Sequence, residues 1–177
     1  KPLRAFLSKA LKTCDMVISS GGVSMGRFDY VRDVFMELGV QEYFWKVAQK
    51  PGRPFFFGEL EETLIFGLPG NPVSSFVCFM EYVWPTCERF MGLTPINKLT
   101  ARLIESFPQE TEKRRYLLGH VEMDGREMVA KPSGKYGSHM FTSALMANAI
   151  LESPRGEGPL KSGQEITVRL LPWSELQ

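Results

Sequence analysis

Three shortages in the sequence exclude whole classes of protein. It has three cysteines in 177 residues, an odd number without metal-ligand spacing, which indicates reduced, mostly buried thiols rather than a disulfide framework. The net charge of +1 gives no electrostatic reason to bind nucleic acid or an anionic membrane, so neither is expected as a partner. No apolar run approaches the length that spans a membrane, and we expect no signal peptide. These features favour a cytoplasmic protein.

The composition is sufficient for a packed core. Hydrophobic residues make up 44% of the chain and aromatic residues 12%. The length suits one domain of ordinary size, or a part-domain with a small companion, and no repeat or low-complexity segment interrupts it. Because Lys1 is not a methionine and stands inside a helical pattern, we expect the sequence to be a piece of a longer protein.

Residues 64–74 have the pattern of a buried strand that turns directly into a helix. The run at 64–66 is short and apolar, Asn71 is a favoured N-cap, and Pro72 suits the first helical position. Such a junction presents backbone amides and a positive dipole end to a ligand, although an ordinary strand-to-helix turn is the alternative. Pro85 is expected to kink the following helix or interrupt its hydrogen bonding.

The N-terminal stretch predicts a helix, a strand and a loop in that order. Apolar residues at helical spacing predict a helix packed on a sheet: Leu3, Phe6, Leu7, Ala10 and Leu11. The apolar run at residues 16–18 predicts a short strand. Three glycines and three serines follow within residues 19–26, where the backbone can approach a ligand and present N–H groups to an anion. A flexible linker is the alternative interpretation of this glycine-rich loop.

A second helix is predicted after the glycine-rich loop. Its apolar positions have helical spacing and Gly39 ends it: Val31, Val34, Phe35 and Leu38. Asp29 stands just before it, as a helix cap or as a carboxylate that binds a metal or orients a water. Sequence spacing does not separate these two roles.

The segment around Lys46 and Lys50 carries the clearest charge pattern. If it forms one strand, Lys46, Ala48 and Lys50 share a face, and two ammonium groups around a small residue make an anion clamp. The alternative is a pair of solvated lysines on an edge strand, which the nearby Pro51 suits.

The second half of the chain has the pattern of a small β structure, either a barrel or a sandwich. Short apolar or alternating runs predict strands at residues 100–104, 116–121, 128–130 and 166–171. Asp124-Gly125 predicts a hairpin turn, and residues 140–149 favour at least one helical turn.

Four motifs in a fixed order carry a family resemblance. They are Ser19-Ser20-Gly21-Gly22-Val23-Ser24-Met25-Gly26 with Asp29-Tyr30, Lys46 to Pro51-Gly52, Leu68-Pro69-Gly70-Asn71-Pro72-Val73-Ser74, and Gly137-Ser138-His139 ahead of Ala147-Asn148. Together they resemble the molybdopterin molybdenumtransferase family, whose eukaryotic relative is the E domain of gephyrin. The implied fold is α/β: part of a three-layer molybdopterin-binding domain with a mostly parallel sheet over residues 1–96, then a small all-β, barrel-like domain over residues 97–177.

The resemblance also implies an activity in molybdenum cofactor biosynthesis. Members of the family are transferases that convert adenylyl-molybdopterin and molybdate into molybdenum cofactor and AMP. A small-molecule pterin substrate, molybdate, Mg²⁺ and a homodimeric assembly are therefore expected. No residue of the sequence reads as a covalent nucleophile, so we expect electrostatic catalysis.

Carried onto this sequence, the resemblance implies roles for individual residues. Asp29, Lys46 and Lys50 would be catalytic, with Asp29 also the metal ligand. The residues expected to hold the pterin and its phosphates are Gly21, Gly22, Ser24, Pro69, Gly70, Asn71, Pro72 and Ser138.

The sequence departs from the family pattern in two respects. A Thr-Gly-Asp loop and further N-terminal domains are missing from it, so we expect no turnover from this piece alone. Leu118 stands where a basic residue is common, although Lys113, Arg114 and Arg115 lie nearby in sequence. Two other functions stay open: the related molybdopterin adenylyltransferase, which lacks the β domain, and a non-enzymatic scaffold like gephyrin.

Overall fold

A computed structural model of the chain describes residues 2–23, 30–95, 98–133 and 147–174. The chain divides into two compact units, Lys1–Val47 with Gly52–Phe79 and Ala48–Pro51 with Met80–Gln177. The domain boundary expected between residues 96 and 97 stays a prediction.

The elements follow one another in an α/β pattern and then in an all-β pattern. In chain order they are α1 (Pro2–Thr13), β1 (Met16–Ser20), α2 (Val31–Glu37), β2 (Gln41–Trp45), β3 (Gln49–Lys50), β4 (Phe56–Leu60), β5 (Thr63–Leu68), α3 (Pro72–Cys78), a π-helical turn (Phe79–Val83), α4 (Trp84–Phe90), β6 (Leu99–Leu103), β7 (Arg114–Asp124), β8 (Glu127–Pro132), β9 (Ala149–Ser153) and β10 (Glu165–Leu170).

The first unit has three layers around a four-stranded sheet of order β1-β5-β4-β2. On one face, α1 and α2 share a core with the sheet, formed by Leu7, Leu11, Val17, Val23, Phe35, Val40, Phe56 and Ile65. Because successive strand residues point to opposite faces, Ser20 lies on the face opposite Val17. The Ser20 hydroxyl is 3.5 Å from that of Ser75 in α3, so α3 covers this opposite face.

The sheet is mixed, which corrects the expectation of a mostly parallel one. Among the described strands, β1 and β5 are parallel, whereas β4 is antiparallel to both β5 and β2. The physical reason is the connection between β4 and β5. It is a turn at Glu61 and Glu62, far too short for the crossover that parallel neighbours need.

The helix after β5 begins as predicted. Asn71 is the N-cap, its Oδ1 accepts a hydrogen bond from the Ser74 N–H at 3.1 Å, and Pro72 is the first helical residue. The predicted irregularity near Pro85 is also confirmed, since the π-helical turn separates α3 from α4. Pro85 has no N–H to donate to the carbonyl one turn earlier, at Glu81, so regular α-helical bonding cannot continue there.

The second unit contains a closed five-stranded barrel. Its order is β7-β8-β6-β10-β9, and pairing between β9 and β7 closes it, which confirms the expected barrel. The interior is apolar and consists of Ala101, Leu103, Phe107, Val121, Ala130, Ala149, Leu151, Ile166 and Val168. The predicted hairpin is confirmed, because Asp124 pairs with Glu127 across a turn in which Gly125 has φ +65°.

Strand β9 was not predicted from the sequence. All five of its residues are buried, so the run lacks the polar alternation that marks a half-exposed strand. Asn148 leads into it and uses its side-chain amide as a strand partner, with Oδ1 and Nδ2 each 2.7 Å from the backbone N and O of Val121. Of the helical stretch expected at residues 140–149, residues 140–146 lie outside the described residues.

A network of ion pairs around two nearly buried carboxylates joins Glu81, in the π-helical turn, to barrel strands of the second unit. Glu81, whose side chain is 4% exposed, accepts from Arg169 Nε at 3.0 Å and lies 2.8 Å from Lys98 Nζ. Lys98 also contacts Glu152, whose other oxygen is 2.7 Å from Arg114. Paired in this way, the carboxylates avoid the large penalty of an uncompensated buried charge.

All three cysteines are described, and none is in a disulfide. Cys78 is buried and Cys87 partly buried, but Cys14 is exposed, so the expectation of mostly buried thiols holds for two of them. Of the helices in the described ranges, none combines the length and the apolar character needed to cross a lipid bilayer.

Substituting Asn71 tests the cap of α3. We expect Asn71→Ala to lower the free energy of unfolding by about 1 kcal/mol, because the Ser74 N–H loses its acceptor. Chemical denaturation monitored by circular dichroism measures this change. Asn71→Ser is the matched control, since a serine hydroxyl caps almost as well; equal losses in the two variants would contradict the capping role.

Candidate functional site

The first unit brings three chain segments to one edge of its sheet. Since β1 and β5 are parallel and β4 is antiparallel to both β5 and β2, the strands β1, β5 and β2 run in the same direction. Their carboxyl ends lie at the edge where α/β sheets commonly bind ligands. The segments that leave this edge are the glycine-rich loop, the Pro-Gly-Asn-Pro turn and Lys46.

The glycine-rich loop and the Pro-Gly-Asn-Pro turn contact each other. The Gly21 N–H donates to the Leu68 carbonyl at 2.9 Å, and a Cβ on Gly21 would lie 3.8 Å from the Gly70 Cα. Gly22 has φ +75°, and a Cβ there would approach a Val31 methyl to 2.3 Å, so a larger residue does not fit. The structure thus places the predicted glycines side by side, with Pro69 between Leu68 and Gly70.

Asn71 and Pro72 follow directly and begin α3. Asn71 Oδ1 is 3.1 Å from both the backbone nitrogen and the hydroxyl of Ser74, so this oxygen serves the helix. The structural role of Asn71 is therefore established, and its role toward a ligand stays a prediction.

Lys46 lies over the indole ring of Trp45. Its ammonium nitrogen is 3.8 Å from the ring centroid, and the guanidinium carbon of Arg32 is 4.2 Å from it. The Trp45 Nε1–H donates to the Val23 carbonyl at 2.8 Å, while Arg32 is held by Glu42 at 2.7 Å. One tryptophan therefore links Lys46 to Val23 of the glycine-rich loop, through a cation–π contact and a hydrogen bond.

Lys46 and Lys50 do not lie on one strand, which corrects the expectation of a shared strand face. Strand β2 ends at Trp45, and Lys46 has φ +69°, outside the range of extended backbone. Its N–H donates to the Phe55 carbonyl at 2.9 Å and so closes a loop. Lys50 belongs to β3, which pairs with β7 in the second unit. Strand alternation therefore does not apply, and the clamp stays a prediction.

In the second unit, Lys50 makes an ion pair with Glu110. Lys50 Nζ is 2.6 Å from Glu110 Oε1, and Arg115 Nη1 is 2.5 Å from the same oxygen. The Lys50 hydrogen bond and the nearby positive charges hold the pKa of Glu110 below its usual value, so this carboxylate is ionised at neutral pH. Lys50 is thus a partly exposed cation in an ionised cluster.

Leu118 is 6% exposed, so a covered apolar side chain occupies this position of β7. The neighbouring arginines have separate partners. Arg114 lies 2.7 Å from Glu152, whereas Arg115 reaches the Glu110 carboxylate that Lys50 also contacts. Positive charge from the barrel is therefore brought to Lys50 by Arg115.

Three of the predicted site residues, Ser24, Asp29 and Ser138, lie outside the described residues. The N-cap of α2 is Tyr30, without a side-chain cap bond. Within the described ranges, no three His, Cys, Asp or Glu side chains come together as a metal-binding group. The described residues thus form no Mg²⁺ site among themselves, and the predicted ligand Asp29 lies outside them.

Sequence reasoning missed the residues that orient the two lysines. The contact with Trp45 could have been predicted from the sequence, because this aromatic residue stands directly before Lys46. Glu110 had no local signal, since it is 60 residues from Lys50 and only the β3–β7 pairing brings it near.

Comparison with known proteins agrees with this arrangement. Residues 1–89 match the family described as "Probable molybdopterin binding domain", and residues 100–171 match the "MoeA C-terminal region (domain IV)". The two matches cover the three-layer unit and the barrel strands, respectively.

Curated relatives and solved structures point the same way. The chain is 32% identical to the molybdopterin molybdenumtransferase of Haemophilus influenzae over 93% of its own length and 41% of that protein. It is 30% identical to gephyrin of Dictyostelium discoideum, over 96% of this chain and 27% of that protein. A crystal structure of the molybdopterin biosynthesis MoeA protein from Pyrococcus horikosii superimposes with a TM-score of 0.73 at 31% identity, covering 95% of this chain and 40% of that one.

The chain thus spans less than half the length of these relatives. Because it matches both family models and is about 30% identical to molybdopterin molybdenumtransferases over nearly its whole length, the chain belongs to the molybdopterin molybdenumtransferase family.

Proposed function

We propose that this chain acts in molybdenum cofactor biosynthesis as part of a molybdopterin molybdenumtransferase, which inserts molybdate into adenylyl-molybdopterin and releases AMP. The observation that carries the proposal is the meeting of the glycine-rich loop with the Pro-Gly-Asn-Pro turn at the carboxyl edge of the sheet, with Lys46 at the same edge. This arrangement occurs in a chain that matches both domains of the family.

The substrates explain why such a site needs backbone amides and lysines. A phosphoanhydride and molybdate are both anions, and positive groups beside them stabilise the charge that develops as the phosphoanhydride is cleaved. The glycines let the backbone come close to the phosphates, because they have no Cβ and tolerate positive φ. Lysine supplies a compact positive charge on a flexible chain, which suits a phosphate or an oxyanion.

Trp45 contributes to this chemistry as a positioning residue. Its ring holds the Lys46 ammonium 3.8 Å from its centroid, and its N–H holds the carbonyl of Val23 in the glycine-rich loop. Trp45 therefore acts through Lys46, by holding its ammonium group in place, and does not itself need to contact the substrate.

The family resemblance further suggests Mg²⁺ bound at Asp29, with Ser24 and Ser138 toward the substrate. A homodimer and a cytoplasmic location complete the proposal; the absence of disulfides among the three cysteines supports a reducing compartment.

The match of residues 100–171 to domain IV favours the molybdenumtransferase over molybdopterin adenylyltransferase, which lacks this domain. No contact among the described residues specifically supports a scaffold function like that of gephyrin.

Replacing the two lysines tests the catalytic proposal. In the full-length gene product, we expect Lys46→Ala and Lys50→Ala each to lower AMP release by about 100-fold, as the loss of one positioned charge-stabilising donor does elsewhere. The assay supplies adenylyl-molybdopterin and molybdate and measures AMP and molybdenum cofactor. Lys9→Ala, on an exposed face of α1, is the control. Normal turnover in both site variants would refute the assignment.

Replacing Trp45 tests its positioning role. We expect Trp45→Phe to keep the ring under Lys46 but to speed hydrogen exchange of the Gly21 and Val31 amides up to about tenfold, because Val23 loses its donor. Trp45→Leu removes the ring as well and should also lower kcat. Hydrogen exchange by NMR and the AMP assay separate the two effects. Unchanged exchange in Trp45→Phe would show that the indole N–H does not hold the loop.

A further inference from the structure

We propose that Arg32 is a positioning residue for the reaction described above: together with Glu42 it holds the Trp45 ring in place, and through this ring it fixes Lys46 and the glycine-rich loop. The inference rests on the proposed function for the part that Lys46 plays in the reaction. The residues concerned all belong to the first unit and are called the Trp45 cluster: Val23, Arg32, Glu42, Trp45 and Lys46.

The Trp45 ring is the centre of the cluster because two cations contact it. The Arg32 guanidinium carbon is 4.2 Å from the ring centroid, and the Lys46 ammonium nitrogen is 3.8 Å from it. Both distances lie well inside the range of a cation–π attraction, about 6 Å. A movement of the ring would therefore alter the contacts of both cations at once.

Arg32 is fixed by an ion pair with Glu42. Its Nε and Nη2 are each 2.7 Å from Glu42 Oε2, and the two side chains are 25% and 24% exposed. Asp33 is the more distant acid, at 3.8 Å. A partly buried, charge-assisted pair holds the guanidinium in a defined orientation against the ring. Glu42 also offsets one positive charge close to Lys46, which favours the contact of both cations with a single ring.

The cluster joins the glycine-rich loop to the helix that follows it. The Trp45 Nε1–H donates to the Val23 carbonyl of the loop at 2.8 Å, while Arg32 lies in the first turn of α2. Next to Arg32, the Val31 N–H donates to the Gly22 carbonyl at 3.1 Å. A fixed Trp45 ring thus holds the loop and the start of α2 together.

The backbone directs Lys46 toward the ring. Its φ of +69° is unfavourable for a residue with a Cβ and persists only where surrounding contacts hold it. The Lys46 N–H donates to the Phe55 carbonyl and the Val47 N–H to the Arg53 carbonyl, each at 2.9 Å. The side chain beyond this backbone is a flexible four-carbon stem. Contact with Trp45 is what restricts the position of the ammonium group.

This arrangement lets Arg32 influence the reaction without contacting the substrate. A charge stabilises a transition state most effectively when it is already in position. Lys46 is positioned by the ring, and the ring is positioned by Arg32 and Glu42. Loss of Arg32 should therefore lower kcat through Lys46 and leave KM nearly unchanged.

Replacing Arg32 tests its hold on the ring directly. In the full-length gene product, we expect Arg32→Met to speed hydrogen exchange of the Trp45 indole N–H about tenfold, because a cation–π contact is lost. The upfield ring-current shift of the Lys46 methylene protons should decrease as well. Methionine keeps an apolar stem against the ring. NMR with labelled tryptophan and lysine measures both signals. The matched control is Arg4→Met, which removes an exposed ion pair with Glu37 in the same unit and should change neither signal.

Two milder variants separate charge from geometry. Arg32→Lys keeps a cation for the ring but loses the two-nitrogen contact with Glu42, so smaller changes than in Arg32→Met are expected. Glu42→Gln removes the counter-charge of Arg32 and should raise the indole exchange rate about threefold. Circular dichroism checks the fold of each variant. If Arg32→Met does not fold, the result for Glu42→Gln decides alone.

Kinetics test whether Arg32 acts through Lys46. We expect Arg32→Met to lower kcat for AMP release about fivefold, with KM changed less than about twofold, and Arg32→Lys to restore part of the loss. In the Lys46→Ala background, Arg32→Met should cause no further loss, because the residue that it positions is gone. A merely structural role would lower kcat equally in both backgrounds.

Unchanged indole exchange and Lys46 signals in Arg32→Met overturn the inference, and so does an equal loss of kcat with and without Lys46. Either result leaves the proposed function standing if Lys46→Ala still impairs turnover. Full turnover in both Lys46→Ala and Lys50→Ala refutes the proposed function and, with it, the kinetic role of Arg32. The NMR signals distinguish this last case, because they would still depend on Arg32.

Discussion

The parallel pairing of β1 with β5 is the constraint on which the candidate site depends. It sets Ser20 opposite Leu68, so the glycine-rich loop and the Pro-Gly-Asn-Pro turn leave the sheet at the same level. A slip in this register would separate Gly21 from Gly70 and break the hydrogen bond from Gly21 to Leu68. Strand β2 runs in the same direction at the far side of the sheet, and Trp45 at its end reaches back to Val23. The described parts of the two loops, around Gly21 and Gly70, are thus positioned by strand pairing and by the hydrogen bonds that follow from it.

In the second unit, two clusters of ion pairs join cations to carboxylates. Glu81 and Glu152 pair with Arg169, Lys98 and Arg114, and these two carboxylates are buried enough that leaving them unpaired would be very costly. Glu110 likewise forms ion pairs with Lys50 and Arg115, but it lies nearer the surface. Solvent there lowers the cost of separating the carboxylate from its cations. The side chains of Glu81 and Glu152 are 4% and 11% exposed, against 26% for Glu110, so the carboxylates of the first cluster are the more buried.

Patterns with local causes were predicted well. The cap at Asn71, the interruption near Pro85 and the hairpin at Gly125 each follow from the chemistry of one or two residues, and each is present. The barrel was predicted from its alternating strands, whereas β9 was missed because complete burial removes alternation. The family followed from four ordered motifs and was confirmed by the two domain matches.

Patterns that assume a particular backbone were predicted less well. The shared face of Lys46 and Lys50 required one continuous strand, and the positive φ of Lys46 ends it. Likewise, the sheet was expected to be mostly parallel, and the two-residue turn between β4 and β5 makes it mixed. The lysine pattern assumed extended backbone through residue 46, and the parallel sheet, which the resemblance implied, assumed crossover connections between neighbouring strands; the structure has neither at these places.

The sequence by itself determined an α/β part followed by an all-β part, the glycine-rich loop, the capped turn and the family to which they belong. These features depend on side-chain and backbone preferences within a few residues, which the unfolded chain already carries. Only the tertiary structure decided that the Lys46 ammonium lies over the Trp45 ring and that the Glu110 carboxylate pairs with both Lys50 and Arg115. It also decided that Arg114 pairs with Glu152 instead. The physical reason is that ion pairs and cation–π contacts join residues through space, and strand pairing brings together groups as far apart in the chain as Lys50 and Glu110.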